Sequence, residues 1–229
     1  MRFHRAAATL AVALFVGACT GGAATSPSAV PSAAVAPSAA AAPDLSGCPT
    51  SQPAAMAASD AKLVTISTAK GSIAIKVEGK LSPIAAGNFV ALAQCGYYTG
   101  VVFHRLVPGF VIQGGDGTYG RAPNVDAANV GTGGPAYTIK DEPVTAKYVR
   151  GTVAMARTSQ PNSVNSQFFI VLSDAAQPSL AQANTYQIVG NVTSGMNVVD
   201  AIAAMPNSGG DANAAVNPVA MDTVTVSNP

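Results

Sequence analysis

A regular alternation of apolar and polar residues begins near Asp60. An apolar run opens at 63–66, Gly71 follows, and apolar residues then alternate with small or charged residues over 72–78. A period of two is typical of a half-buried strand. Further short apolar runs separated by turns predict strands near Val101–Leu106, Phe110–Gln113, Thr152–Ala156, Phe168–Leu172, Tyr186–Val192 and Thr223–Val226.

Two segments follow a helical pattern instead. Ser82 and Pro83 predict a helix start, with the serine as cap and the proline in the first turn, and the helix runs to about Cys95. A second helix is predicted at Met196–Met205. Many short strands with only two helices favour a closed or nearly closed antiparallel barrel over residues 60–229.

The N-terminus has the pattern of a targeting segment. A basic start at Arg2 and Arg5 precedes an apolar run over 6–16, which is too short to span a membrane. Small residues stand just before Cys19, as in the bacterial lipobox, so residues 1–18 are predicted to be a lipoprotein signal and Cys19 the lipidated residue. An ordinary secretory signal cleaved near Ala18 is the alternative.

Residues 19–59 are mostly Ala, Pro, Ser, Thr and Gly. Such a stretch buries too little apolar surface to offset its chain entropy, so we predict a disordered or extended spacer rather than a proline-rich recognition ligand. These features predict anchoring at the outer face of the cytoplasmic membrane, through the lipid alone. In an oxidising compartment Cys48 and Cys95 would remain as an even pair, and we predict a disulfide, with two unrelated thiols as the alternative.

The charge composition excludes several kinds of partner. Net charge is +1 and charged residues make up 10% of the chain, without a basic cluster that would indicate nucleic acid or a polybasic membrane patch. His4 and His104 are the two histidines, so a histidine-rich metal site is excluded. The glycine-rich stretches 114–117 and 131–134 lack the Lys-Ser/Thr of a phosphate-binding loop, and turns explain them better.

The most specific signal lies between Phe103 and Asp116. The segment reads FHRLVPGFVIQGGD and resembles the signature of the cyclophilins. Further segments match the family's other motifs in order, and the resemblance covers essentially all of Lys62–Val226. These segments are GTGGPAYTIKDE at 131–142, RGTVAMAR at 150–157, NSQFFI at 165–170 and YQIVG at 186–190.

The resemblance implies an all-β dominated fold, a closed eight-stranded antiparallel barrel capped by two helices. It implies a monomeric peptidyl-prolyl cis-trans isomerase that acts on proline-containing polypeptides without a metal or a cofactor. Arg105 would be the catalytic residue. The matching positions imply that peptide is bound by Phe110, Val111, Gln113, Ala156, Arg157, Phe169, Leu180 and Tyr186.

These residue types suit the chemistry. An Xaa-Pro bond rotates over a barrier of about 18–20 kcal/mol because rotation removes amide resonance. A fixed guanidinium can hydrogen-bond the nitrogen lone pair of the twisted amide, and an apolar cup can hold the pyrrolidine ring. Strand alternation puts Phe168 and Phe169 on opposite faces, so only one can face the groove. His104 points away from Arg105 and is interpreted as structural.

Some positions depart from the family pattern. Ser179 stands near the position of a tryptophan found in many eukaryotic members, and Tyr186 replaces a histidine. Arg157 stands where asparagine is frequent and is expected to add a positive charge beside the groove. Val111 replaces the usual methionine, which predicts a smaller and stiffer pocket. The main alternative is a proline-peptide-binding or chaperone-like module with little catalysis; a hydrolase is less compatible, since no G-x-S-x-G is present.

Overall fold

The first two strands follow the alternation in the sequence. In the computed structural model, which describes residues 43–229, β1 (Ala61–Thr68) and β2 (Gly71–Glu78) form an antiparallel hairpin. Val64 lies opposite Ile75 and Ile66 opposite Ile73, and all four side chains are buried. Gly71 has a φ of +124°, a conformation that favours glycine at the turn.

Seven more strands extend this hairpin into one antiparallel sheet. Its order across the sheet is β8-β3-β4-β6-β5-β7-β2-β1-β9. The additional strands are β3 (Val102–Val107), β4 (Val111–Gly114), β5 (Thr152–Met155), β6 (Phe168–Val171), β7 (Ile188–Ser194), β8 (Ala214–Ala220) and β9 (Thr223–Ser227).

The predicted closed, eight-stranded barrel was wrong in both number and closure. The described residues form a curled sheet of nine strands whose edges are β8 and β9. Met221 and Asp222 join these edges end to end. The Met221 N–H donates to Val101 O and the Asp222 N–H to Ser67 O, so the chain passes from one edge to the other without a β8–β9 ladder. The missed strand, β8, contains Pro218 and buries only one of its seven residues, so it lacks the alternation of a half-buried strand.

Three α-helices are described rather than the predicted two. The two expected helices are present as α1 (Pro83–Gln94) and α3 (Met196–Ala203). The helix that was not predicted is α2 (Gln177–Ala183), which follows a 3-10 turn at Asp174–Ala176.

The N-terminus of α1 is capped from a distant loop rather than by Ser82. The two carboxylate oxygens of Glu142 accept hydrogen bonds from the N–H groups of Ile84 and Ala85 at 2.8 and 2.9 Å. The Ser82 side chain makes no capping hydrogen bond. A negative charge at this end of a helix is favourable because the first N–H groups lack partners within the helix.

The sheet separates two hydrophobic clusters. The larger cluster lies under α1 and α3, and its aromatic rings pack edge to face, with Phe168 within 5.1–6.1 Å of Phe89, Tyr98 and Phe103. The smaller cluster lies on the other side with α2 and includes Val111, Tyr148, Ala154, Phe169, Val171, Ala176, Leu180 and Ile188. The candidate site lies on the face of the sheet that carries this smaller cluster.

An N-terminal strap, residues 43–60, packs on the domain without regular secondary structure. Cys48 and Cys95 are joined by a disulfide at the C-terminal end of α1. The Met56 N–H donates to Pro83 O, near the other end of that helix. Between them the strap passes so close to Gly87 that a Cβ there would lie 2.2 Å from Ala54 O.

The packed chain thus begins well before residue 60, the boundary that the sequence predicted. Residues 1–42, which include the predicted signal, Cys19 and part of the predicted spacer, lie outside the described residues. Within residues 43–229 no helix is long and apolar enough to cross a membrane.

Candidate active site

A row of four residues crosses the middle of the sheet. Arg105 on β3 lies opposite Gln113 on β4, Gln113 opposite Phe169 on β6, and Phe169 opposite Ala154 on β5. Directly opposed residues in antiparallel strands point to the same face. Arg105 and Gln113 therefore share the face of the second hydrophobic cluster.

A β-bulge in β3 allows Arg105 to reach this face. Phe103 pairs with Gly114 and Arg105 with Gln113, so two steps on β3 correspond to one step on β4, with His104 as the extra residue. Without the bulge, Phe103 and Arg105 would point to the same side of the sheet. The bulge instead leaves Phe103 in the larger core while Arg105 lies on the opposite face.

The face carries a cavity of about 170 Å³ at the end of this row. Every residue to which the sequence assigned catalysis or peptide binding lies on its wall, and Ser179 completes the lining. The walls are formed by Arg105, Phe110, Val111, Gln113, Ala156, Arg157, Phe169, Ser179, Leu180 and Tyr186. Four of these residues come from strands, Ser179 and Leu180 come from α2, and the other four come from the loops next to β4, β5 and β7.

Apolar side chains form the inner part of the cavity. Val111, Phe169 and Leu180 are buried, and Phe110 and Tyr186 pack against their cluster. The rings of Phe169 and Tyr186 meet edge to face at 5.3 Å and 86°. Phe168 belongs to the opposite core, so the predicted division of the two phenylalanines between faces is confirmed.

Arg105 differs from its neighbours in its charge environment. Arg150 is paired with Asp200 at 2.7 Å and Arg157 with Asp141 at 3.0 Å. In the part of the chain that the structure describes, no carboxylate lies within ion-pair distance of Arg105. Its guanidinium therefore keeps its charge and donors for a group that enters the cavity.

The expected positive charge of Arg157 beside the groove is neutralised. Besides the ion pair with Asp141, its guanidinium donates to Thr158 O at 3.1 Å and to Gln160 O at 2.7 Å. The side chain is 9% exposed. Arg157 thus fixes the loop that follows β5, and it leaves Arg105 as the free guanidinium on the cavity wall.

Gln167 belongs to the family motif NSQFFI at 165–170, but the sequence assigned it no role in the site. Its Nε2 donates to Gly131 O and Gly133 O, both at 2.9 Å, and its Oε1 accepts from Gln113 Nε2 at 3.0 Å. Two carbonyl acceptors determine which end of the Gln167 amide faces the loop. The Gln113 amide is oriented in turn, with its oxygen left for the cavity.

The loop that orients Gln167 is held by one buried carboxylate. Asp116 accepts four backbone hydrogen bonds at 2.7–3.0 Å, from the N–H groups of Thr118, Tyr119, Gly131 and Gly133. The glycine-rich stretch 131–134 is therefore a turn packed around a carboxylate. Beside it a second cavity of about 230 Å³ shares Gln113, Ala156 and Arg157 with the first.

His104, the residue before Arg105, is buried and is not assigned a chemical role in the site. Its side chain is buried, and neither ring nitrogen has a hydrogen-bond partner in the described region. Burial lowers the pKa of His104 to about 4. His104 lines neither cavity, and a neutral, buried imidazole fits the structural role expected from the sequence. Residues 43–229 contain no cluster of three or more His, Cys, Asp or Glu side chains suited to a metal ion.

The fold and the apolar cavity beside an unpaired guanidinium together define a protein of the cyclophilin type. The family model described as "Cyclophilin type peptidyl-prolyl cis-trans isomerase/CLD" matches residues 63–226. The chain therefore belongs to the cyclophilin-type peptidyl-prolyl cis-trans isomerase family, and isomerisation of Xaa-Pro bonds is the activity of that family.

Bacterial relatives support the assignment. A Brucella abortus protein named "Probable peptidyl-prolyl cis-trans isomerase" is 42% identical over 150 residues, which cover 65% of this chain and 74% of the relative. A peptidyl-prolyl cis-trans isomerase of Acinetobacter baylyi is 37% identical over 150 residues, covering 64% and 74%.

Solved structures show the same fold. A cyclophilin type peptidyl-prolyl cis-trans isomerase of Cryptosporidium parvum superposes with a TM-score of 0.61 at 29% identity, covering 74% of this chain and 99% of the other. A second crystal structure of that protein, obtained in the presence of the dipeptide Ala-Pro, also gives a TM-score of 0.61, at 28% identity, with coverage of 73% and 99%.

Proposed function

We propose that Arg105 accelerates rotation about the Xaa-Pro bond by stabilising the twisted amide. In the ground state the nitrogen lone pair is delocalised into the carbonyl group, whereas at the twisted geometry it is localised on the nitrogen. A guanidinium that donates to this lone pair binds the transition state more strongly than the planar amide, which is the requirement for catalysis. No bond is made or broken, and no proton leaves Arg105.

The observation that carries this proposal is the unpaired guanidinium of Arg105 on the wall of an apolar cavity. Arg150 and Arg157 have carboxylate partners that would compete for a ligand. The buried side chains of Val111, Phe169 and Leu180 exclude water from one side of the cavity. A charge-assisted hydrogen bond is stronger where water is excluded.

The same cavity accommodates the proline ring in this proposal. The apolar side chains of Phe110, Val111 and Phe169 hold the ring, while Gln113 keeps its amide oxygen free for the peptide. A fold neighbour was crystallised in the presence of Ala-Pro, the simplest peptide of this chemistry, which supports a proline-containing polypeptide as the substrate.

The proposal is tested by measuring isomerisation of a short Xaa-Pro peptide with residues 43–229, a boundary that retains the strap. Arg105→Ala should lower kcat/KM by roughly 10²–10³, the scale of one preorganised electrostatic donor. Arg150→Ala is the matched control, because it removes an arginine outside the cavity, and it should leave kcat/KM within about twofold. Equal activity of Arg105→Ala and wild type would refute the mechanism. A folded but inert wild type would instead indicate a peptide-binding module.

We also propose that the enzyme acts on exported polypeptides while held to the outer face of the cytoplasmic membrane by lipid on Cys19. The basic start, the short apolar run and the small residues before Cys19 support this, and so does the Cys48–Cys95 disulfide, which is typical of oxidising compartments.

Cell fractionation of the full chain tests the location. The wild type should sediment with membranes, and Cys19→Ala should appear in the soluble extracytoplasmic fraction with unchanged specific activity. Cys48→Ala is the control for loss of a cysteine as such, and it should remain with the membranes. Retention of Cys19→Ala on membranes would contradict lipid anchoring, and a wild type found in the cytosol would contradict the exported substrates.

A further inference from the structure

Tyr148 is buried next to the cavity. It contacts the two parts of the cavity wall that lie outside the central strands, which are Tyr186 and the helix α2. It is 0% exposed, belongs to the same cluster as Phe169 and Leu180, and lies in the loop before β5. No cavity-lining atom comes from Tyr148 itself. Neither the family signature nor the mechanism proposed above uses this residue.

The hydroxyl of Tyr148 makes two hydrogen bonds to the backbone of Tyr186. It donates to Tyr186 O at 3.0 Å and accepts from the Tyr186 N–H at 3.2 Å. The two rings meet at 6.5 Å, and Tyr186 in turn packs edge to face on Phe169. Burial raises the pKa of Tyr148 to about 12, so the hydroxyl keeps the proton that it donates.

The backbone of Tyr148 holds the other wall. Its N–H donates to Gln177 Oε1 at 2.6 Å. Gln177 is the first residue of α2, the helix that carries Ser179 and Leu180 into the cavity. One residue therefore connects the rim at Tyr186 with the helical wall through hydrogen bonds, in addition to the packing of Leu180 against the sheet.

We propose that Tyr148 is a positioning residue that sets the width of the proline cup. Its hydroxyl fixes Tyr186, and its backbone N–H fixes α2. Tyr148 therefore sets the distance between Tyr186 at the rim and the helical wall. Such a residue acts on the binding of the pyrrolidine ring equally in the planar and twisted amide, because it touches neither the amide nor Arg105. Uniform binding of this kind changes KM and leaves kcat nearly constant.

Tyr148→Phe tests the inference, because it keeps the ring and removes both hydrogen bonds to Tyr186. In residues 43–229, KM for an Xaa-Pro peptide should rise roughly three- to tenfold, as expected for losing a buried hydrogen-bond pair, with kcat within about twofold. Tyr98→Phe is the matched control. That hydroxyl is also buried and donates to a backbone carbonyl, Ser166 O at 2.8 Å, but lies in the larger core.

Thermal unfolding of both variants separates positioning from general stability. Tyr98→Phe should lose a similar amount of stability with KM unchanged, whereas Tyr148→Phe should change KM. A second variant, Gln177→Met, removes the link to α2 without touching Tyr148 and should raise KM in the same direction. If Tyr148→Phe and Gln177→Met only lower the unfolding temperature and leave KM at the wild-type value, the inference is overturned.

The inference rests on the proposed function, so the affinity for the peptide is also measured directly by titration calorimetry. A Kd that rises with Tyr148→Phe supports the positioning role even if Arg105→Ala retained turnover and thereby refuted the mechanism. A Kd that stays at the wild-type value overturns the positioning role whatever Arg105→Ala does.

Discussion

Four arginines in the described part of the chain show how the surroundings of a residue decide its role. Arg150 and Arg157 are bound to carboxylates, and Arg121 donates to the carbonyls of Tyr97 and Thr99, so all three act within the fold. Arg105 has neither a carboxylate nor a carbonyl partner among the described residues, and it lines a cavity. Sequence motifs predicted Arg105 as the catalytic residue. Only the structure shows that no carboxylate is paired with it among the described residues.

His104 offers a test of burial at the same scale. Its neighbouring charges are Asp116, which favours the protonated ring, and Arg105, which opposes it, and desolvation dominates both. The folded-state pKa is therefore about 4, against an ordinary value of 6.5. Between these values the unfolded chain binds a proton that the folded protein excludes.

The free energy of unfolding should consequently fall as pH decreases from about 6.5 to 4, by up to roughly 3 kcal/mol from this group alone. Above pH 6.5 both states are neutral and His104 contributes no slope. Urea unfolding of residues 43–229 at pH 7, 6 and 5 measures the slope, and His104→Gln should flatten it, since no other histidine lies in this range. The same slope in both proteins would show that the acid sensitivity arises elsewhere.

At the scale of elements, periodicity predicted what is locally encoded. The hairpin of β1 and β2, the helices α1 and α3, and the separation of Phe168 from Phe169 all follow from spacing of two or 3.6 residues. Placement of the site residues on one cavity depended on family motifs rather than on spacing. The features that were missed depend on tertiary contacts.

The β3 bulge illustrates why those features were hidden. His104 looks like an ordinary strand residue, and only the pairing with Gly114 and Gln113 shows that it is an extra one. The start of α2 depends on a 3-10 turn and on Gln177, whose side chain binds the Tyr148 backbone 29 residues earlier. Glu142 likewise replaces Ser82 as the cap of α1 from a distant loop. Such partners leave no local periodicity to detect.

At the scale of the whole described unit, the strap explains why the folded part begins before the family match at residue 63. It crosses α1 from Cys95 to Pro83, and Gly87 gives it room where any Cβ would strike the Ala54 carbonyl. Gln52 of the strap also accepts the Lys140 N–H at 2.9 Å, next to the Asp141 that binds Arg157. The strap thus packs along α1 and reaches the loop that contains Asp141, beside the groove.

The disulfide should matter for stability more than for catalysis. In the chain-entropy account, closing a loop between Cys48 and Cys95 contributes roughly 4 kcal/mol, less any strain. Cys48→Ser/Cys95→Ser should therefore lose up to about that free energy of unfolding in urea. Reducing agent should produce a comparable loss in the wild type and none in the double variant, which controls for effects on other groups.

At 25 °C, while still folded, the double variant should retain kcat/KM within about twofold, because no strap residue lines the proline cavity. A large fall in kcat/KM with little loss of stability would instead mean that the strap shapes the groove through Gln52 and Asp141. Alkylation of both cysteines in unreduced, denatured wild type would show that the bridge does not form in solution.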